Sequence, residues 1–130
     1  MEAAPGVGID LIEIERIERA LERRPRLRER VFTRGEIEAS AKRRRPARHL
    51  AARFAAKEAA LKCLGIGGLR LHEVEVVGGG EEPPRLRLHG HAAELAQRKG
   101  IDLSVSISHS RELATAVVVA SRGRRAASGD

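Results

Sequence analysis

Apolar residues recur at every second position near the start of the chain, a spacing that is typical of a β-strand. They are Val7, Ile9 and Leu11. Asp10 falls between two of them and therefore projects from the opposite face of the strand. A carboxylate at the end of a strand is either a cap for the helix that follows or a ligand for a functional site.

Three helices are predicted between this strand and the middle of the chain. Apolar residues at helical spacing indicate the first helix over about residues 14–21. Thr33 followed by Glu36 resembles a capping box and predicts a second helix that runs through about residue 42. A third helix is predicted over about residues 47–64, because Gly65 suits the position just after a helix end.

The second half of the chain predicts four strands and one helix. The strands are expected near residues 74–77, 85–88, 103–107 and 113–120, and the helix near 91–98. The element order β-ααα-ββ-α-ββ predicts an α+β fold, with an antiparallel sheet packed on the long third helix. We expect one domain over residues 1–121 and a flexible tail over 122–130.

The composition is typical of a soluble globular protein, with 42% hydrophobic and 33% charged residues among 130. The longest apolar run is far too short to span a membrane, and the N-terminus lacks the basic and apolar regions of a signal peptide. Cys63 is the only cysteine, which excludes an internal disulfide and a cysteine-based zinc site. We therefore expect a cytoplasmic protein.

The net charge of +7 is unevenly distributed along the chain. Residues 19–53 contain thirteen Lys or Arg against four acidic residues, a net charge of +9. Such a patch predicts an acidic partner, and nucleic acid is the first candidate. However, the chain has no Trp or Tyr and only two Phe. A protein that binds single strands by stacking bases on aromatic rings is therefore disfavoured.

Charged residues lie at or near the apolar face of the third predicted helix. That face is formed by Leu50, Phe54, Leu61 and Leu64. Lys57 falls inside it, where an ammonium group needs a partner or must extend to solvent. Glu58 lies at its edge, and Lys62 follows one turn later on the same side. These two residues form either a surface ion pair or part of a functional site.

Two more interpretations stay open at this point. If the fold brings Asp10 and Glu58 together, the pair suits Mg²⁺, because hard cations prefer carboxylate oxygens and leave positions for water and phosphate. His109 follows a strand with alternating serines. It is either a turn residue that bonds locally or a catalytic group.

Several segments taken together are more specific than any single residue. They are GIDLIEI (8–14), VFT (31–33), RFAAKEAALKCLG (53–65) and SISHSRE (106–112). In this order and spacing they resemble the holo-acyl-carrier-protein synthases, the small bacterial 4′-phosphopantetheinyl transferases. The resemblance covers about residues 7–120.

The resemblance implies transfer of 4′-phosphopantetheine from coenzyme A to a serine of an apo acyl carrier protein, with adenosine 3′,5′-bisphosphate as by-product. It implies that Asp10 and Glu58 bind Mg²⁺ together with the coenzyme A pyrophosphate, and that Lys62 reaches the same phosphates. Either Glu58 or a metal-bound water takes the serine proton. The positions that match family residues near coenzyme A phosphates are Arg53, Ser108 and His109.

The resemblance also implies a homotrimer with active sites between subunits. The acidic carrier protein is expected to meet the basic first helix through Arg16, Arg23 and Arg24. One departure from the family is Glu82-Pro83-Pro84, where Gly-Lys-Pro is usual. That exchange puts an anion near the expected coenzyme A site. Fatty-acid and polyketide carriers are equally compatible with the sequence.

Two other functions remain as alternatives. A basic nucleic-acid-binding module would retain salt-dependent affinity for duplex or RNA after Asp10→Ala. An inactive relative would bind the carrier protein without turnover.

Overall fold

The structure is a computed structural model that describes residues 6–123, without the side chains of residues 68 and 69. Its strands are β1 (Val7–Glu13), β2 (Val74–Val77), β3 (Arg85–Leu88), β4 (Ile101–His109) and β5 (Leu113–Arg122). Its helices are α1 (Ile14–Arg23), α2 (Leu27–Val31), α3 (Arg34–Ala41), α4 (Pro46–Leu64) and α5 (Gly90–Lys99). A short 3₁₀ helix spans Gly68–Glu73.

The predicted α+β class with antiparallel sheets is confirmed. β5 lies between β1 and β4 in a three-stranded sheet, and β2 pairs with β3 in a second sheet. The structure adds the five-residue helix α2, which the predicted order lacks. Only Val31 of α2 is fully buried, so the segment has too few apolar positions to show a helical period.

The long helix α4 has clear structural signals at both ends. Pro46 stands in its first turn, where a missing N–H has no cost. Gly65 ends it in the left-handed conformation, with φ 76°. Strand β1 packs directly on this helix, since a Cβ added at Gly8 would lie 1.9 Å from the Ala59 carbonyl oxygen. Only glycine permits an approach this close.

The alternating apolar residues of β1 point away from α4. Val7, Ile9 and Leu11 are 63%, 65% and 64% exposed, whereas Asp10 belongs to the inner face. Two exposed residues of β5, Leu113 and Val119, extend this apolar surface across the sheet. We call these five residues the outer sheet face. Patches of this size on one sheet are typical of interaction surfaces.

Lys57 finds a buried partner instead of reaching solvent. Its ammonium group is completely buried and donates to the Glu36 carboxylate and to the Val74 carbonyl oxygen. Glu36 also accepts from the backbone N–H groups of Thr33 and Val76. Burial lowers the pKa of Lys57, and the nearby Glu36 carboxylate opposes that shift. The pair therefore ties α4 to the start of α3 and to β2.

The C-terminal strand extends further than the sequence predicts. β5 includes Arg122, the first residue assigned to the tail, and residues 124–130 lie outside the described part of the chain. Among residues 6–123, no helix has the length and apolar character that crossing a membrane requires.

Candidate functional site

Three predicted site residues meet where β1 crosses α4. The Lys62 ammonium group donates to Asp10 Oδ1 at 3.1 Å and to the Ile9 carbonyl oxygen at 3.1 Å. Asp10 keeps 17% of its side chain exposed, and Lys62 keeps 54%. Glu58 precedes Lys62 by one turn of α4. The structure therefore brings these three side chains to one place.

The electrostatics of Glu58 link it to Asp10. Partial burial and then the Asp10 carboxylate raise the pKa of Glu58, while Lys62 acts in the opposite direction. The fold therefore holds the Asp10 carboxylate close enough to Glu58 to disfavour the ionisation of Glu58. Such an arrangement attracts cations and protons.

Asp10 and Glu58 share a cavity with a volume of about 450 Å³. Most of its wall is apolar and comes from α1, α2 and α4, through Ile17, Leu21, Leu27, Phe32 and Phe54. Arg16 contributes a guanidinium group to the same cavity. An apolar hollow with a few charged groups suits a ligand that has both an apolar and an ionic part.

The three arginines predicted to meet a carrier protein, two on α1 and one just after it, lie beside this cavity. Arg16, Arg23 and Arg24 are exposed and line a neighbouring hollow of about 470 Å³. Arg16 lines both hollows. The polar face of α1 therefore continues into the carboxylate site.

The residues predicted to lie near coenzyme A phosphates, Arg53, Ser108 and His109, are only partly brought together. Arg53 is 8% exposed, donates to the Gly78 carbonyl oxygen at 3.3 Å, and has no hydrogen-bond partner for Nε within residues 6–123. His109 accepts through Nδ1 from Arg48, at 3.1 Å from Nε. Ser108 pairs with Thr115 and is exposed. No contact in the described structure joins Ser108 to Arg53.

A comparison with known families identifies the superfamily of the chain. The family model of the 4′-phosphopantetheinyl transferase superfamily matches residues 6–118. The chain belongs to this superfamily.

Individual members of the superfamily agree with this assignment. A holo-[acyl-carrier-protein] synthase of Moorella thermoacetica is 46% identical over 115 residues, which cover 86% of this chain and 90% of that protein. The ACPS–CoA complex of Chronobacterium ammoniagenes superposes with a TM-score of 0.82 and 31% identity, covering 95% of this chain and 100% of the other. The Helicobacter pylori holo-[acyl-carrier-protein] synthase in complex with coenzyme A superposes with a TM-score of 0.74 and 32% identity. The match covers 88% of this chain and 99% of that one.

The structure of this phosphopantetheinyl transferase also shows a basic cluster that sequence reasoning missed. Arg48 contacts His109, and the rings of His49 and His109 lie 6.4 Å apart. Burial lowers the pKa of His49 to about 4, with further lowering by Arg43, Arg53, His109 and Arg48. His49 and Arg53 lie one turn apart on the same face of α4, and this spacing was visible in the sequence.

The unusual hairpin loop of this transferase lies next to the basic cluster. A Cβ added at Gly80 would meet the Arg43 guanidinium at 2.9 Å. Glu82 lies 3.5 Å from Arg85, and both side chains are exposed. The charge of Glu82 is thus partly balanced within the loop itself.

Proposed function

We propose that the protein transfers the 4′-phosphopantetheine group of coenzyme A to a serine hydroxyl of an apo acyl carrier protein. The serine oxygen bonds to the phosphorus that bears pantetheine, the bridging P–O bond breaks, and adenosine 3′,5′-bisphosphate leaves. The observation that carries this proposal is the Asp10–Glu58–Lys62 group beside a mostly apolar cavity. The holo-[acyl-carrier-protein] synthase relatives, similar over most of their length, support it.

The chain's own residues have distinct roles in this reaction. Lys62 is exposed enough to exchange its contact with Asp10 for one with a phosphate oxygen. Glu58 lines the same cavity, so either its carboxylate or a water at the metal site would accept the serine proton. The apolar wall of the cavity excludes water from the reacting groups.

The donor groups at this site fit a magnesium ion. Asp10 and Glu58 offer carboxylate oxygens, the ligands that Mg²⁺ prefers. Their mutual repulsion, expressed in the pKa of Glu58, is relieved when a divalent cation binds them. Two carboxylates leave the other positions around such an ion for water and phosphate oxygens. An ion held by Asp10 and Glu58 would supply positive charge to offset the negative charge that develops on the pyrophosphate.

The basic groups near the start of α4 supply the sites for coenzyme A phosphates. Arg53 has an unpartnered buried Nε, and His109 lies against Arg48. Ser108, at the end of β4, offers a hydroxyl beside His109. Arginine guanidinium groups bind phosphate with two parallel hydrogen bonds, so this cluster favours a phosphate-rich substrate.

The exposed arginines of α1 suit an acidic carrier protein. Arg16, Arg23 and Arg24 lie beside the carboxylate site, so a carrier bound there presents its serine to the cavity. Charge complementarity of this kind accelerates association more than it strengthens the final complex.

The outer sheet face supports a homotrimer. Its residues Val7, Ile9 and Leu11 are large, apolar and more than half exposed in a single chain. Covering them with other copies of the chain removes that surface from water. A trimer would also bring active sites next to subunit boundaries, where small proteins gain the surface needed to enclose a nucleotide.

Formation of the nucleotide by-product tests this function. The purified protein is incubated with coenzyme A, Mg²⁺ and apo carrier protein, and nucleotides are separated by chromatography. We expect adenosine 3′,5′-bisphosphate to appear only when the carrier is present, and to disappear with excess EDTA. Carrier binding without nucleotide release would support an inactive carrier-binding relative. Duplex or RNA binding that survives Asp10→Ala, with no nucleotide release, would support a nucleic-acid-binding module.

A further inference from the structure

A pocket at the start of α4 is lined almost entirely by basic side chains. Its volume is about 410 Å³, and its wall is formed by Arg44, Arg45, Arg48 and His49. The nearest paired carboxylate is that of Glu18, which lies 3.9 Å from Arg45 with both side chains well exposed. A concave surface with this charge attracts anions.

Both histidines of this region are surrounded by cations. Partial burial lowers the pKa of His49 most. The positive charges of Arg43, Arg53 and Arg48, and the nearby His109, lower it further. His109 receives a hydrogen bond at Nδ1 from Arg48, so that nitrogen carries no proton. Burial, and then Arg48, lower the pKa of His109 as well. Both imidazoles are therefore neutral at physiological pH as long as no anion is present.

We propose that His49 is a further substrate-binding residue, and that it takes up a proton when a phosphate group of coenzyme A enters this pocket. The inference rests on the proposed function. A phosphate reverses the local field, because its negative charge offsets the surrounding arginines. A protonated imidazole then donates a charge-assisted hydrogen bond that a neutral ring cannot match.

The neutral ring also has a role in the free protein. A fixed positive charge at residue 49 would add to the repulsion among Arg43, Arg48 and Arg53. A group that charges only when the anion arrives avoids this repulsion. Because binding and protonation are linked, His49 must strengthen coenzyme A binding more at low pH than at high pH.

Titration calorimetry with coenzyme A and Mg²⁺ tests this inference on the wild type and His49→Gln. Binding enthalpies are measured at pH 6.5 in two buffers that differ in their heat of ionisation. The difference between the two enthalpies gives the number of protons taken up on binding. Titration of the coenzyme A phosphates themselves is common to both proteins and cancels in the difference. His72→Gln is the control, because His72 is exposed on the 3₁₀ helix and does not line this pocket.

We expect His49→Gln to take up fewer protons than the wild type, and His72→Gln to match the wild type. The affinity loss of His49→Gln should be about tenfold at pH 5 and close to none at pH 8.5, because the binding gained from protonation grows as the pH falls below the pKa of the bound state. Equal proton uptake and a pH-independent affinity ratio would overturn the inference. Absence of coenzyme A binding by the wild type would instead overturn the proposed function on which it rests.

A second measurement uses only the wild type and does not depend on the variant folding. The imidazole C–H signals are followed by NMR between pH 4 and 8, with and without coenzyme A. We expect the His49 pKa to rise from about 4 by two units or more when coenzyme A is bound. An unchanged His49 titration in the bound state would contradict the inference.

Discussion

Asp10 and Glu58 are 48 positions apart in the sequence, yet the Asp10 carboxylate adds to the effect of burial in raising the pKa of Glu58. Asp10 is brought to α4 by β1, and the closeness of that contact depends on Gly8. Lys62 then holds Asp10 from the next turn of the helix. The three side chains form one unit, so their contributions to transfer should not add.

The first prediction follows from this shared unit. Asp10→Ala and Glu58→Ala should each reduce the rate of transfer by at least about a hundredfold. The double variant should be little slower than either single variant, since both remove the same cation site. Initial rates at saturating coenzyme A measure this. Losses that multiply in the double variant would contradict a shared ion.

Lys57 carries the second prediction, which concerns stability. Lys57→Met leaves the Glu36 carboxylate completely buried without its charged partner. It should lower the free energy of unfolding by about 3–5 kcal/mol. Urea denaturation followed by circular dichroism measures this, with the exposed Lys42→Met as control.

The double variant Lys57→Met/Glu36→Gln removes both charges. It should recover part of the lost stability, because no uncompensated charge remains buried. A loss below about 1 kcal/mol for Lys57→Met alone would show that this pair does not stabilise the fold.

For single residues, the sequence predicts which face of a strand or helix a side chain lies on better than which distant side chain it contacts. The alternation in β1 correctly set Asp10 opposite Val7, and helical spacing correctly set Lys62 beside Glu58. The partner of Lys57 could not be predicted, because Glu36 lies 21 residues away and meets it only after α3 packs on α4. Contacts of this kind depend on how elements pack and leave no local pattern.

Among the elements, α1 has the plainest division of faces. Ile14, Ile17 and Leu21 are buried, and the arginines of the opposite face are exposed. Arg19 is already paired with Glu15 at 2.6 Å. Arg16 and Arg24, which have no such partner on this helix, are the better candidates for docking a carrier protein.

The third prediction is a selective effect of charge reversal in this element. Arg16→Glu and Arg24→Glu should raise the KM for carrier protein about tenfold at low salt and less at high salt. The KM for coenzyme A should change little for Arg24→Glu, because Arg24 lies outside the cavity that contains Asp10 and Glu58. Arg98→Glu on α5 is the matched control. Equal effects on both KM values would indicate a folding defect, and no effect on either would indicate a merely solvated helix face.

Element ends were predictable wherever a residue type marks them. Gly65 and the capping box at Thr33 identify the end of α4 and the start of α3. The short helix α2 has no such mark and no period, so it could not be predicted. The same holds for the 3₁₀ helix, whose single turns are set by the packing around them.

For the whole molecule, the outer sheet face is the feature that a single chain leaves unexplained. Periodicity showed that Ile9 and its neighbours share a face, but not that the face points away from α4. The sequence could not reveal this, because an apolar stripe packs equally well against a helix or against another subunit.

The fourth prediction is a trimer that this face holds together. Light scattering with refractive-index detection should give three times the chain mass, 14.2 kDa, and the absence of Trp and Tyr makes absorbance unsuitable. Ile9→Arg should yield monomers and lose transfer, because a buried charge opposes association. Gln97→Arg, on the exposed side of α5, should remain trimeric. A wild-type monomer that keeps full activity at nanomolar concentration would contradict the trimer.

Intact-mass spectrometry of the carrier protein tests the central claim most directly. Apo carrier protein is incubated with the enzyme, coenzyme A and Mg²⁺, and a carrier whose acceptor serine is replaced by alanine serves as control. We expect a mass gain equal to one phosphopantetheine group on the wild-type carrier only, and none with Glu58→Ala enzyme. An unchanged carrier mass after prolonged incubation with wild-type enzyme would contradict it.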